Sequence, residues 1–284
     1  MKRIVTLQDI SCVGKCALTV ALPVISAMGV ETAVIPTALL SAHSVFPDFT
    51  FKDLTDDIEP IAKHLKSQNI TFDAIYTGYL GSIHQIDVVS HFFDEFKTPD
   101  NFIFVDPAMA DQGKLYTGFD IEFAQAMTKL CRKADIIDPN MTEACLMTGI
   151  EYREDYDEKF VRQIMDKLSD LGAKTVVLTG VCLKPGETGV VGLDTKTGKT
   201  YHYFHPHYQG QFHGTGDIFS STVVGALMNG KSLDEALRIA ANFTYECIRQ
   251  TAEDETSSWY GVSFERALPY LIRQMDSTEK SLLF

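Results

Sequence analysis

The chain has 284 residues, 45% of them hydrophobic and 22% charged, which suits a folded protein with an ample core and argues against intrinsic disorder. Asp and Glu number 38 against 25 Lys and Arg, a formal net charge of -13. No basic cluster interrupts that excess, so nucleic acid and an anionic membrane surface are not expected partners. Cys12, Cys16, Cys131, Cys145, Cys182 and Cys247 show neither a CxxC pair nor zinc spacing and read as reduced thiols, mostly buried apolar filler. The apolar run over residues 17–30 is broken by Pro23 and preceded by Gln8, Asp9 and Lys15, which suits neither a membrane span nor a signal peptide. A cytoplasmic location is expected, and the sequons at Asn69, Asn140 and Asn242 are then accidental.

In chain order the patterning predicts a strand over 4–7, a helix from about residue 15, a strand over 32–36, a helix near 53–68 and a strand over 74–77. A helix near 83–96, a strand over 102–105, a helix near 121–132, a short strand at 136–137 and a helix near 142–148 follow, then a helix near 158–171 and a strand over 175–178. This alternation predicts a three-layer α/β fold, α-β-α, with a central, mostly parallel sheet covered on both faces. Beyond residue 178 the runs at 189–193 and 199–204 flank Asp194-Thr195-Lys196-Thr197-Gly198 and read as an antiparallel hairpin. Helices near 217–228, 233–249 and 264–273 complete the chain. With no linker, repeat or low-complexity tract, one domain over 1–284 is expected.

Ligands in such sheets bind beyond the carboxyl ends of the strands. The predicted loops there hold Gln8-Asp9-Ile10-Ser11, Ser41-Ala42-His43-Ser44, Thr77-Gly78-Tyr79, Asp106-Pro107, Asp138-Pro139-Asn140 and Thr179-Gly180. Neither a GxxxxGK[ST] loop nor a strand-linked GxGxxG occurs, so a phosphate grip must come from elsewhere. Gly214-Thr215-Gly216-Asp217 offers one, because it bares backbone N–H groups at a helix entrance. A carboxylate beside an anion site would repel the anion. The conflict disappears if Asp217 is a base that takes a proton from the group attacking a phosphate. The plainer alternative is that Asp217 caps the helix.

Gly214-Thr215-Gly216-Asp217 and Asn140-Met141-Thr142-Glu143 resemble the late G-[AT]-G-D and earlier N-x-x-E signatures of the ribokinase-like superfamily, in that family's order and spacing. Ser41-Ala42-His43-Ser44, Thr77-Gly78-Tyr79-Leu80-Gly81-Ser82 and Val105-Asp106-Pro107-Ala108-Met109 are similar to segments of the pyridoxal kinases within it. The resemblance covers nearly the whole chain. It implies a ribokinase-like kinase, working as a homodimer, that uses ATP and Mg²⁺ to phosphorylate the 5'-hydroxymethyl group of a B6 vitamer. By the same resemblance Asp217 is the general base, and the N–H groups of Gly214, Thr215 and Gly216 hold charge developing on the γ-phosphate. Ser44 and Tyr79 line the pyridine pocket; Asp106, Asn140, Thr179, Gly180 and Thr215 meet ATP; Asp106 and Glu143 organise Mg²⁺. Residues 111–116 match a mobile loop over the nucleotide.

The first loop departs from the Q-S-H common in pyridoxal kinases. Its Asp9-Ile10-Ser11 is closer to the D-x-S of hydroxymethylpyrimidine kinases, so Asp9 or Ser11 is expected to bond a ring substituent. Those enzymes often end the late motif in cysteine, where this chain has Asp217, and they stand as the alternative. A catalytically silent ligand sensor would lack the base or the N-x-x-E motif, and both are present. A sugar kinase of this fold would show a di-glycine in an early loop and a lid of strands. His202, His205 and His207 alternate along one hairpin strand and read as surface rings, with no metal assigned to them.

Overall fold

Apolar side chains alternate across β1 (Arg3–Ser11): Val5 and Leu7 enter one core cluster, Ile4 the other. The computed structural model describes residues 1–276. The chain continues through α1 (Leu18–Ala27), β2 (Glu31–Leu40), β3 (Phe51–Asp53), α2 (Thr55–Ser67), β4 (Ala74–Thr77), α3 (Ile83–Phe96) and β5 (Phe102–Val105). A small antiparallel pair, β6 (Ala110–Asp111) and β7 (Lys114–Leu115), precedes α4 (Ile121–Cys131), β8 (Ile136–Ile137), α5 (Met141–Thr148), α6 (Glu158–Ser169) and β9 (Thr175–Val181). The hairpin β10 (Glu187–Asp194) and β11 (Thr200–Pro206) and the helices α7 (Thr215–Met228), α8 (Leu233–Ala252) and α9 (Phe264–Asp276) follow.

The main sheet runs β11-β10-β9-β8-β5-β4-β1-β2-β3. Its six central strands, β9 to β2, are parallel; β10 turns antiparallel at one edge and β3 at the other. Helices α2 to α6 cover one face, and α1 with α7 to α9 cover the other, so the α/β sandwich expected from the alternation is present. From β1 the chain moves to β2 on one side and returns to β4 on the other. The loops leaving β1 and β4 therefore diverge and open a crevice at the carboxyl edge.

Several boundaries differ from the predicted ones. β1 extends to Ser11, because Gln8 pairs with Pro36 and, past an irregularity, Ile10 and Ser11 pair with Leu39 and Leu40. Asp9 and Ser11 thus stand on a strand rather than in a loop. Thr179 and Gly180 likewise lie inside β9, and residues 111–116 include most of the β6–β7 hairpin. Helix α1 begins at Leu18, since Ala17 adopts φ 47° and cannot be its first helical residue. The edge strand β3 left no apolar signal because all three of its residues are exposed.

Candidate active site

The entrance of α7 is built on close backbone packing. Gly214 has φ 84°, and a Cβ there would fall 1.9 Å from the carbonyl oxygen of Lys15, so only glycine fits. The first intrahelical bond is donated by Ile218 to the Gly214 carbonyl at 3.0 Å, which leaves the N–H groups of Thr215 and Gly216 without a helical acceptor. The Thr215 hydroxyl turns back to donate to the Phe212 carbonyl at 3.2 Å. Gly216 is exposed, and a Cβ on it would lie 4.0 Å from Asp106 Oδ2, which places the entrance beside the end of β5.

Asp217 is the third residue of α7, and its carboxylate accepts the backbone N–H of Ala17 as well as its own. It is gripped from a separate loop, so helix capping does not exhaust its role. Burial pushes its pKa up to about 6. Asp9 lies close enough to feel that charge: burial first and Asp217 second push its carboxyl up to about 7. The Ser11 hydroxyl reaches Asp9 Oδ2 at 3.5 Å, and both residues are buried.

Tyr79 stacks on Phe119 with ring centroids 5.6 Å apart, and burial together with Asp9 raises its hydroxyl pKa. Asp9, Ser11, Tyr79 and Asp217 therefore share one end of the crevice. Ser44 is exposed, on the rim rather than the floor. Its neighbour His43 faces His213 with rings 5.2 Å apart, and burial and that second imidazole lower its pKa to about 4. Phe46 packs on Trp259 at 4.6 Å and Tyr260 at 5.4 Å, tying the rim to the segment between α8 and α9.

From the other end three more carboxylates, Asp106 after β5, Asp138 after β8 and Glu143 on α5, approach Asp217, making four in all. Burial first, then mutual repulsion, raises Asp106 well above the carboxylate range, and burial does the same for Asp138. The Ser220 hydroxyl donates to Asp138 Oδ2. None of the four joins an ion pair among the described residues. Asn140 caps α5: its Oδ1 accepts from Thr142 and Glu143 at 2.9 and 3.0 Å, while its Nδ2 donates to the Ala110 carbonyl at 2.7 Å. Glu143 completes the capping box through the Asn140 N–H at 2.8 Å and receives the N–H groups of Met109 and Ala110 at 3.0 and 3.4 Å. The side chains expected at ATP and Mg²⁺ thus already hold the 109–113 segment. Thr179 N–H bonds the Pro139 carbonyl at 3.0 Å, so β9 and the start of α5 lie side by side. Among the described residues no three His, Cys, Asp or Glu form a ready-made metal cage.

Ala17, Lys15, His213 and Ser220 enter the site without having been singled out in the sequence. Ala17 and Lys15 act through backbone atoms, which leave no side-chain signature, whereas Ser220 could have been found as the residue one turn after Asp217. His205 is not a free surface ring: it is half-buried and stacks on Tyr245 at 4.6 Å, because α8 covers that face of β11. Cys12 and Cys182 are exposed, while the other four cysteines are buried. No helix among the described residues is long and apolar enough to cross a membrane.

The phosphomethylpyrimidine kinase family model matches residues 21–259. Two crystal forms of a candidate phosphomethylpyrimidine kinase from Bacteroides thetaiotaomicron, one with pyridoxal, superpose with TM-scores of 0.92 and 0.91. Each is 38% identical and covers 95% of this chain and 93% or 95% of the other. Pyridoxal kinase from Lactobacillus plantarum gives a TM-score of 0.87 at 29% identity, over 96% of this chain and 97% of that one. The hydroxymethylpyrimidine/phosphomethylpyrimidine kinase of Bacillus subtilis is 28% identical over 225 residues, 79% of each chain.

Proposed function

The chain belongs to the phosphomethylpyrimidine kinase family and is a phosphotransferase, and from that premise we propose that it transfers the γ-phosphoryl group of ATP to the 5'-hydroxymethyl group of a B6 vitamer. The observation that carries the choice of vitamer is the 38%-identical Bacteroides thetaiotaomicron protein, crystallised with pyridoxal and aligned over 95% of this chain. The pyrimidine kinase reading keeps its place through the Bacillus subtilis relative, and both acceptors present a hydroxymethyl group on a heteroaromatic ring.

In this reading the ring lies against Tyr79 with its polar edge at Asp9 and Ser11, and Ser44 borders it from the rim. The 5'-hydroxyl faces Asp217. As the hydroxyl oxygen bonds the γ-phosphorus, its proton passes to the Asp217 carboxylate and the bond to the ADP oxygen breaks. The N–H groups of Thr215 and Gly216, with Gly214 fixing their direction, receive the charge on the transferring oxygens. Thr179, Gly180, Asn140 and the Thr215 hydroxyl border the nucleotide phosphates.

Buried carboxylates that join no ion pair among the described residues fit a divalent ion of the Mg²⁺ type, and Asp106 would hold it beside the α7 entrance. Such an ion would supply positive charge against the phosphates of the nucleotide. The enzyme is read as a cytoplasmic homodimer. Incubation with ATP, Mg²⁺ and pyridoxal, followed by mass spectrometry and ³¹P NMR, tests the assignment. A phosphate ester on the 5'-oxygen is expected, and ADP-free, unmodified pyridoxal would refute it.

A further inference from the structure

Resting on the kinase reading, we propose that Asp138 is a direct oxygen ligand of the divalent ion, paired with Asp106, that Ser220 positions it, and that Glu143 braces the neighbouring loop without binding the ion. Adjacent parallel strands bring the two aspartates together. Asp106 follows β5, Asp138 follows β8, and the Asp138 N–H bonds the Val105 carbonyl at 3.3 Å, so the two strand ends are in register. Strands spaced about 4.8 Å apart put carboxylates at such ends within reach of one ion. Ser220 donates to Asp138 Oδ2, and Asp138 is the first of the charges that raise the Asp106 carboxyl, so the two aspartates lie close together.

The decisive atom is Asp138 Oδ1. Asp138 is 3% exposed, its Oδ2 takes the Ser220 hydroxyl, and its Oδ1 is buried without a hydrogen-bond partner. A buried carboxylate oxygen with no hydrogen-bond partner is costly unless a cation or a proton meets it. Glu143 differs. Its two oxygens receive three backbone N–H groups, from Asn140, Met109 and Ala110. Those bonds occupy both of its oxygens and fix α5 to the start of β6. Two carboxylate oxygens, completed by phosphate oxygens and water, match the way Mg²⁺ is held in phosphoryl-transfer sites, and they need no all-protein cage.

The test is a Mn²⁺ titration of the ADP-bound protein, read by the electron paramagnetic resonance signal of free Mn²⁺, with ADP affinity measured separately without metal. Asp138→Asn preserves shape and the acceptor for Ser220 and should weaken Mn²⁺ at least about 10-fold, with Ser220→Ala weakening it by about 10-fold as well. Glu143→Gln should leave Mn²⁺ affinity within about 2-fold while lowering the melting temperature. Metal-free ADP binding retained in all three shows that they are folded. Unchanged Mn²⁺ affinity in both Asp138→Asn and Ser220→Ala, which means that water satisfies Oδ1, would overturn the proposal. So would a loss in Glu143→Gln equal to that in Asp138→Asn. Wild-type protein that bound no ADP would instead remove the kinase reading itself.

Discussion

Ala17, at φ 47° and buried, directs its backbone N–H to the carboxylate of Asp217. With ψ at -130° it lies outside the left-handed helical basin, in a region that costs a residue with a Cβ on the order of 1 to 3 kcal/mol. The loop that carries it also presents the Lys15 carbonyl to Gly214, so one strained segment holds both the base and the glycine at the α7 entrance. Ala17→Gly keeps the N–H and removes the strain, and should stabilise the protein by up to about 1 kcal/mol, with turnover retained. A lower denaturation midpoint would show that the conformation is not strained.

Asp217→Asn keeps the shape of the side chain but cannot accept the proton. Turnover should fall by about 10²- to 10⁴-fold, with the KM for ATP close to that of the wild type. Steady-state kinetics with both substrates varied checks this. Full activity would leave Asp217 as a structural group only.

The raised carboxyl of Asp217, at about 6, sets the acid limb of activity: kcat/KM should fall below pH 6 as the base is protonated. Stability of the metal-free protein should run the other way. A carboxyl whose pKa is higher folded than unfolded binds the proton more tightly in the native state. Its contribution is full below about pH 4 and is lost as pH rises through the folded value. Between pH 5 and 8 the ionisation of Asp217 and of Asp9, at about 7, should therefore lower the melting temperature. Mg²⁺ with ADP should reverse much of that loss. A melting temperature that rises steadily across this window would contradict the burial of these groups.

How much of this could be read in the residues depends on where the signal lies. The sheet is legible because buried parallel strands such as Phe102–Val105 are short apolar runs between amphipathic helices, and Asp217 is legible because its motif is contiguous. The extension of β1 to Ser11 depends on its pairing with β2, and the strand β3 depends on an edge, so neither is local. The pairing of Asp106, Asp138 and Ser220 joins three elements far apart in sequence. Asn140 and Glu143 stand out as a motif, yet only the hydrogen bonds show that they cap α5 and hold Met109 and Ala110.

Gly214→Ala places a methyl group 1.9 Å from the Lys15 carbonyl oxygen in a residue at φ 84°, so the α7 entrance must shift. Turnover should drop at least about 100-fold with a lower melting temperature, because oxyanion donors lose their aim on a shift of about 1 Å. Gly180→Ala is the contrast. Gly180 also has positive φ, at 66°, but nothing lies within 4 Å of its Cβ position. It should cost stability with a smaller effect on turnover, and equal loss in the two variants would argue against a special role for the entrance.

Ser11 and Asp9 supply the polar contact to the ring in the kinase reading, and losing a buried partner costs about 1 to 3 kcal/mol. Ser11→Ala should raise the KM for pyridoxal roughly 5- to 100-fold, with ATP kinetics little altered. Asp9→Asn tests the neighbouring carboxylate in the same assay. If neither changes vitamer KM, the ring does not meet this strand.

The most direct measurement is a coupled ADP-release assay that compares kcat/KM for pyridoxal, pyridoxine, pyridoxamine and the hydroxymethyl aminopyrimidine at one ATP and Mg²⁺ concentration. A B6-vitamer kinase should turn over at least one vitamer with a kcat/KM at least about 10-fold above that of the pyrimidine, a difference of about 1.4 kcal/mol in transition-state binding. A higher kcat/KM for the aminopyrimidine than for all three vitamers would contradict that assignment and make the chain a pyrimidine kinase.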